Sequence, residues 1–501
     1  MSSYSCVDRA GQELSEHAVH DFADLFAKEF GVPNGMMVWS AGRVIYERYA
    51  PPFAPNLRHS LHSATKSVLG SVVGIAIRDG HLSLDDRVAD VLTRYLPKQV
   101  SPELEALTIE HLLTMRAGFA RGVSGSWARE QSSGLTRALL ALPFGSMPGR
   151  NFLYSSGPSQ LLSASIQEVT GAPVARIAEE LLFAPLGISD FRWHSDQEGV
   201  TSGGNGLSLR LSDYLAWGLL YLNGGARQGS QVLPYEWVRD SMRAHVRVDS
   251  RPYSDGKRLI AAPISRELQT ETYGYHLWGH QAGFSFAAGL FGQYLFILPA
   301  QRSVLAVVSS MPAWEHNRLP DFVASNLLGY RTTDSVGVSP SPSPPRTADS
   351  SYRSDQSESG KSDPAVELDP SFLGCFQPRR TPQFLDLVSV DRRVGETRIK
   401  LRTRSGELTA TTRGWEEAFI PFDFPDLHHS YALDDEVGLV RASVESSDVL
   451  VIEVQYPTTP FRDTLRLEFL SEVDCRIDVT TNVNSGSIRG VNFDLTRARQ
   501  R

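Results

Sequence analysis

Cysteine is scarce in this chain: Cys6, Cys375 and Cys475 are the only three in 501 residues. Their number is odd and their spacing matches no disulfide framework or metal knuckle, which predicts a reducing compartment, the cytoplasm. HExxH, GxGxxG and P-loop patterns are also missing, so neither a metal nor an organic cofactor is expected. No apolar run is long enough for a membrane span. Residues 1–31 mix Asp, Glu, His and Lys into every turn and lack the apolar centre of a signal peptide. Positive charge is thin as well, with 49 Lys and Arg against 57 Asp and Glu and a net charge of −8. The basic residues are scattered, which argues against nucleic acid or anionic lipid as a partner and leaves a small-molecule or peptide-like substrate.

What is present is a substantial apolar fraction, 41% of residues, enough for more than one core. Between residues 331 and 369 the sequence turns to Ser, Pro and polar residues (SVGVSPSPSPPRTADSSYRSDQSESGKSD) and cannot offset the entropy of ordering, so it reads as a linker. Residues 1–330 alternate strand and helix signals. In GMMVWSAGRVIYERY, β-branched and aromatic residues on both sides of Ser40-Ala41-Gly42 read as a hairpin, GQYLFILP and SVLAVVSS form another, and an apolar helix is expected from Ser63 to Arg78. Together these predict an antiparallel sheet flanked by helices. Residues 370–501 carry almost purely strand signals at short, regular intervals, as expected of a small antiparallel β-barrel or sandwich.

Ser63-Ala64-Thr65-Lys66 lies where a strand-like approach meets the apolar helix. The i, i+3 spacing puts both side chains on one face, where a desolvated amine could serve as base to the serine hydroxyl. A helix cap beside a solvated lysine is the plainer alternative. A second S-x-x-K, Ser254 to Lys257, sits in a polar Gly-containing stretch with no helix behind it and is not expected to react. Tyr154 follows Pro148-Gly149-Arg150 and precedes a helix expected to begin near Pro158. It either shuttles a proton or packs between loop and helix. In FAAGLFGQ, residues 286–293, the small residues are read as opening a strand and admitting a ligand backbone. A backbone N–H there could pair with that of Ser63, or the segment is simply a tightly packed strand start.

In order and spacing these elements resemble the serine β-lactamase and penicillin-binding protein superfamily, which uses S-x-x-K, Y-x-N and K/H-T-G motifs. LHSATKSVLGSVVGIAIRDGHLSLDDRVADVL, LTIEHLLTMRAGF and FLYSSGPSQLLSASIQEVTG are similar to its class C-related branch, near the 6-aminohexanoate-dimer hydrolases and esterases. The resemblance spans roughly residues 31–329. It implies Ser63, Lys66 and Tyr154 as catalytic residues, the N–H groups of Ser63 and Leu290 as an oxyanion hole, and Ser156 and Gly289 as substrate contacts. His59, His62 and His111 are left structural. Two departures stand out: Ser156 where the family's motif ends in Asn, and Ala287 where Lys or His would bind a substrate carboxylate. The implied function is a serine hydrolase cleaving an ester or amide, with an acyltransferase, a peptide-cyclising thioesterase or a silent ligand-binding homologue as alternatives. GCFQP and TTPFRDTLRLEFL in the tail are similar to the lipocalin-like barrels appended to some members.

Overall fold

The structure is a computed structural model. It describes residues 12–123, 134–248, 272–312, 315–330, 367–379, 385–393, 396–403, 405–421, 437–456, 458–483 and 489–498. Most of the expected linker, and the second S-x-x-K at Ser254 to Lys257, lie outside them. The chain divides into two compact units, one carrying the elements from Glu16 to Asn326 and the other those from Pro370 to Arg497.

The first unit is built on eight strands: β1 (Gly35–Ser40), β2 (Arg43–Tyr49), β3 (Val246–Arg247), β4 (Thr272–Tyr273), β5 (Trp278–His280), β6 (Phe284–Gly289), β7 (Gln293–Leu298) and β8 (Ser303–Val308). They run β2-β1-β8-β7-β6-β5-β4-β3, every neighbouring pair antiparallel. Ala41 and Gly42 turn the first hairpin with φ of 50° and 81°. Two successive positive φ values match the right-handed twist of the strands it joins.

Successive residues of a strand face opposite sides, and the sheet uses both. Leu295, Ile297, Val304 and Ala306 pack toward helices α2 (Thr65–Arg78), α3 (Ser156–Thr170) and α4 (Leu211–Leu222). Phe296, Leu298, Leu305 and Val307 pack toward α1 (Glu16–Phe30) and α5 (Leu319–Asn326). The α2 helix is buried along nearly its whole length, from Thr65 to Ala76. A helix apolar on all sides belongs in the middle of a large core, and this one carries Lys66 there.

The second unit has ten strands: β9 (Gly374–Pro378), β10 (Leu387–Arg393), β11 (Glu396–Arg402), β12 (Glu407–Thr411), β13 (Glu416–Phe419), β14 (Val437–Ser446), β15 (Val449–Gln455), β16 (Arg462–Phe469), β17 (Asp474–Thr481) and β18 (Arg489–Arg497). Their order is β12-β11-β10-β9-β18-β17-β16-β15-β14-β13, and the strands at its two ends come back alongside each other, so the barrel is nearly closed. Along β16 burial alternates residue by residue, with Leu465, Leu467 and Phe469 inside. Among the described residues no helix is long and apolar enough to cross a membrane.

Candidate active site

A short strand, Arg58–Ser60, pairs with Leu207–Arg210 and delivers the chain to the site. Leu61 N–H extends the pairing to Leu207 O at 2.9 Å. His62 then takes φ of +47°, a left-handed conformation that costs an L-residue about 1–2 kcal/mol. Its ring meets Phe291 edge-on at 5.4 Å. The expected helix from Ser63 is thereby corrected: His62–Ala64 form a 3-10 turn and α2 begins at Thr65. Ser63 stays partly exposed while Ala64, Thr65 and Lys66 are buried. The serine keeps some exposure to solvent and the lysine behind it does not.

Lys66 is 1% exposed, which rules out a solvated lysine. Its Nζ donates to Gly204 O at 2.7 Å, Ser63 Oγ at 3.1 Å and Ser156 Oγ at 3.4 Å, and lies 5.1 Å from the centre of the Tyr154 ring. Among the described residues no carboxylate pairs with it. Burial alone pulls its pKa from 10.5 to about 7, because a low-dielectric site disfavours the charged form. The Tyr154 phenol is hydrogen-bonded to Ser63, and burial pushes its pKa up to about 12. Its ring leans on Trp278 at 5.2 Å and Tyr273 at 6.2 Å. At neutral pH the site therefore combines a titrating amine with a protonated phenol.

Ser156 opens α3, two residues earlier than the sequence suggested, because Ser155 caps the helix by accepting from Gly157 N at 3.3 Å. Gly204 brings its carbonyl to Lys66 only because it lacks a side chain; a Cβ there would come within 2.8 Å of Ser156 Cβ. Residues 286–293 close β6 and open β7 instead of opening a strand, a correction that follows from the turn Leu290-Phe291-Gly292 with positive φ at the last two. Gly289 ends β6, where a side chain would run into the Leu61 carbonyl. This close approach brings the Leu290 turn against the segment bearing Ser63. Ala287 is fully buried on the helix-facing side of the sheet and offers no charge.

His111 closes a capping box with Thr108, and burial lowers the His59 pKa to about 4. The residue that sequence reasoning missed is His276. It is buried against Ser67 and Ser159, and a lone histidine in YGYHLW carries no motif by which to find it. The Ser202-Gly203-Gly204 carbonyl anchor was also missed, although the paired glycines were a visible signal.

Known proteins similar to this chain include hydrolases. A 6-aminohexanoate-dimer hydrolase of Paenarthrobacter ureafaciens is 24% identical over 298 residues, 56% of this chain and 73% of that protein. Esterase EstB of Burkholderia gladioli is 26% identical over 178 residues, 31% of this chain and 44% of the esterase. A solved Bacillus anthracis protein, provisionally described as a 6-aminohexanoate-dimer hydrolase, superimposes with a TM-score of 0.50 at 19% identity, covering 62% of this chain and 82% of that one, and speaks for the fold alone. The Beta-lactamase family description matches residues 31–328, the stretch that holds the sheet, the buried α2 helix and the cluster of Ser63, Lys66 and Tyr154. This chain is a member of the beta-lactamase family.

Proposed function

We propose that this chain is a serine hydrolase of the S-x-x-K type that cleaves an ester or amide through an acyl-enzyme on Ser63. The observation that carries the reading is Lys66: a buried amine 3.1 Å from the Ser63 hydroxyl, without a carboxylate partner among the described residues and with a pKa near 7. About half of such amines are uncharged at neutral pH, and an uncharged amine at that distance can accept the serine proton.

As Ser63 Oγ bonds to the substrate carbonyl carbon, its proton passes to Lys66. The N–H groups of Ser63 and Leu290 receive the oxyanion. When the intermediate collapses, the Tyr154 phenol protonates the departing alkoxide or amine and regains a proton from Lys66. Water then attacks the acyl-enzyme by the same route in reverse. Ser156 and Gly289 border the acyl group, and Ala287 favours a substrate without a carboxylate at that position. On this reading the chemistry belongs to residues 1–330, residues 331–369 are a linker, and the barrel of 370–501 stands outside the reaction. Free Cys375 and Cys475 fit a cytoplasmic setting.

A fluorophosphonate probe with mass spectrometry of the modified peptide tests the assignment. Labelling at Ser63 in the native protein, and none in Ser63→Ala, is expected. Equal labelling of the variant would sink it. Adding an amine or alcohol to the ester assay and analysing products separates hydrolysis from acyl transfer, which share the first half-reaction.

A further inference from the structure

His276 stands behind the site with every polar group engaged. Its backbone N–H and its Nδ1 both reach Leu113 O, at 3.2 and 2.9 Å. A carbonyl only accepts, so Nδ1 carries the proton and Nε2 holds the lone pair. The Ser159 hydroxyl on α3 donates to Nε2 at 2.9 Å, and the Ser67 hydroxyl on α2 donates to the His276 carbonyl at 2.5 Å. Ser67 is the neighbour of Lys66, and Ser159 lies one turn along α3 from Ser156. One residue thus ties together the two helices that carry the amine and its hydroxyl partner.

Two further features are specific to this arrangement. His276 has φ of +56°, a conformation disfavoured for any residue with a Cβ. On the facing side, α2 carries Gly70 in its buried middle, where an added Cβ would meet Tyr275 O at 3.2 Å and His276 Cβ at 3.5 Å. The helix forgoes a side chain, at a cost in helix propensity, and the 275–276 segment packs into the space.

We propose that His276 is a positioning residue: through Ser67 and Ser159 it holds α2 and α3 at the separation that keeps Lys66 Nζ against Ser63 and Ser156, and it seals the rear of the site. It touches no reacting atom. The inference rests on the reading of Ser63 and Lys66 as nucleophile and base. Lys66 from α2 and Tyr273 and Tyr275 from its own segment are titratable neighbours of His276. Burial and the neighbouring Lys66 keep the imidazole neutral, with its pKa lowered to about 3. The brace thus adds no second positive charge beside the base.

The test uses Ser159→Ala, which deletes one hydroxyl, and His276→Asn. Asn is among the residues most tolerant of positive φ, and its amide replaces the Nδ1–H while releasing Ser159. The chain has only six lysines, so full-length protein labelled with ¹³C-lysine gives a readable titration of Lys66. Loosening the brace admits water behind the amine, and the Lys66 midpoint should rise by about half a pH unit or more in each variant. The double variant should show no further rise, since both changes cut one link. The acylation–pH profile should move in parallel, losing about threefold near pH 6.5 and recovering at pH 9. A lowered melting temperature with an unmoved Lys66 midpoint would reduce His276 to a structural residue and overturn the proposal. If native protein fails to label at Ser63, the hydrolase reading falls, whereas the lysine titration still decides the brace.

Discussion

In the barrel, buried Glu396 is held by Arg398 at 3.0 Å and Arg413 at 2.6 Å, and Glu453 lies between Arg441 and Arg462. In the sheet-and-helix unit, Lys66 is buried as deeply and, among the described residues, meets hydroxyls, a carbonyl and an aromatic face. The barrel's ion pairs are the ordinary solution to burying charge, in which attraction and added hydrogen bonds offset desolvation. Lys66 departs from it, and its pKa falls to about 7 instead. A buried ionisable group with its counter-ion holds a structure together, whereas one without a counter-ion is poised to exchange a proton.

The comparison breaks most sharply at Lys66. Lys66→Met should cut the acylation rate of Ser63 by about 10² to 10⁴-fold, the range of a lost general base, as read by fluorophosphonate labelling kinetics. The same variant should gain thermal stability. With the folded pKa near 7 and the unfolded one near 10.5, the folded state binds fewer protons than the unfolded chain between those values. Native stability therefore rises with pH across that window, and the full penalty of holding the charge is felt below pH 7. The melting temperature of Lys66→Met should exceed the native value by more at pH 6 than at pH 9. A variant less stable than native at pH 6 would mean that Lys66 is paired after all.

The next largest effect is on pH. Acylation by the native protein should climb about tenfold per pH unit below 7 and level off above it, as Lys66 loses its proton. The plateau should hold into strongly alkaline solution because Tyr154 keeps its proton to about 12. A profile that falls away between pH 8 and 9 would place the essential acid elsewhere.

On the barrel side, Glu396→Ala removes the carboxylate from two arginines that retain access to water. It should lower stability by about 1–3 kcal/mol, as for a buried hydrogen-bonded group lost, and leave labelling of Ser63 unchanged in a side-by-side assay. A loss of labelling in folded protein would mean that the barrel participates in the chemistry. The smallest change is expected from deleting residues 370–501. The remaining chain should still acylate at Ser63 within a few-fold of native, and relative kcat/KM values for large and small esters show whether the barrel shapes access.

Much of this was legible in the sequence for a physical reason: local chemistry writes itself locally. Runs of β-branched and aromatic residues marked β1, β2, β7 and β8, regularly spaced strand signals marked the barrel, and Ser40-Ala41-Gly42 marked the first hairpin. The i, i+3 spacing already put Ser63 and Lys66 on one side of a helix start, and the match of S-x-x-K and Y-x-S in order pointed to Tyr154. Even so, the sequence began α2 two residues early. The left-handed φ at His62 follows from the fit of that turn against Phe291, some 230 residues away in the chain and invisible to any local pattern.

What the amino-acid order determined alone was the inventory: strands, helices, a serine with an amine one turn on, and the absence of a cation at Ala287. The state of that inventory was decided in three dimensions. Lys66 is drawn to a pKa near 7 by burial within a helix packed on all sides. Its carbonyl partner Gly204 lies 138 residues away and its proposed brace His276 lies 210 away. Solvation and hydrogen-bond geometry depend on which distant segments meet, so an ordinarily basic lysine came to titrate near neutrality only once the core had closed around it.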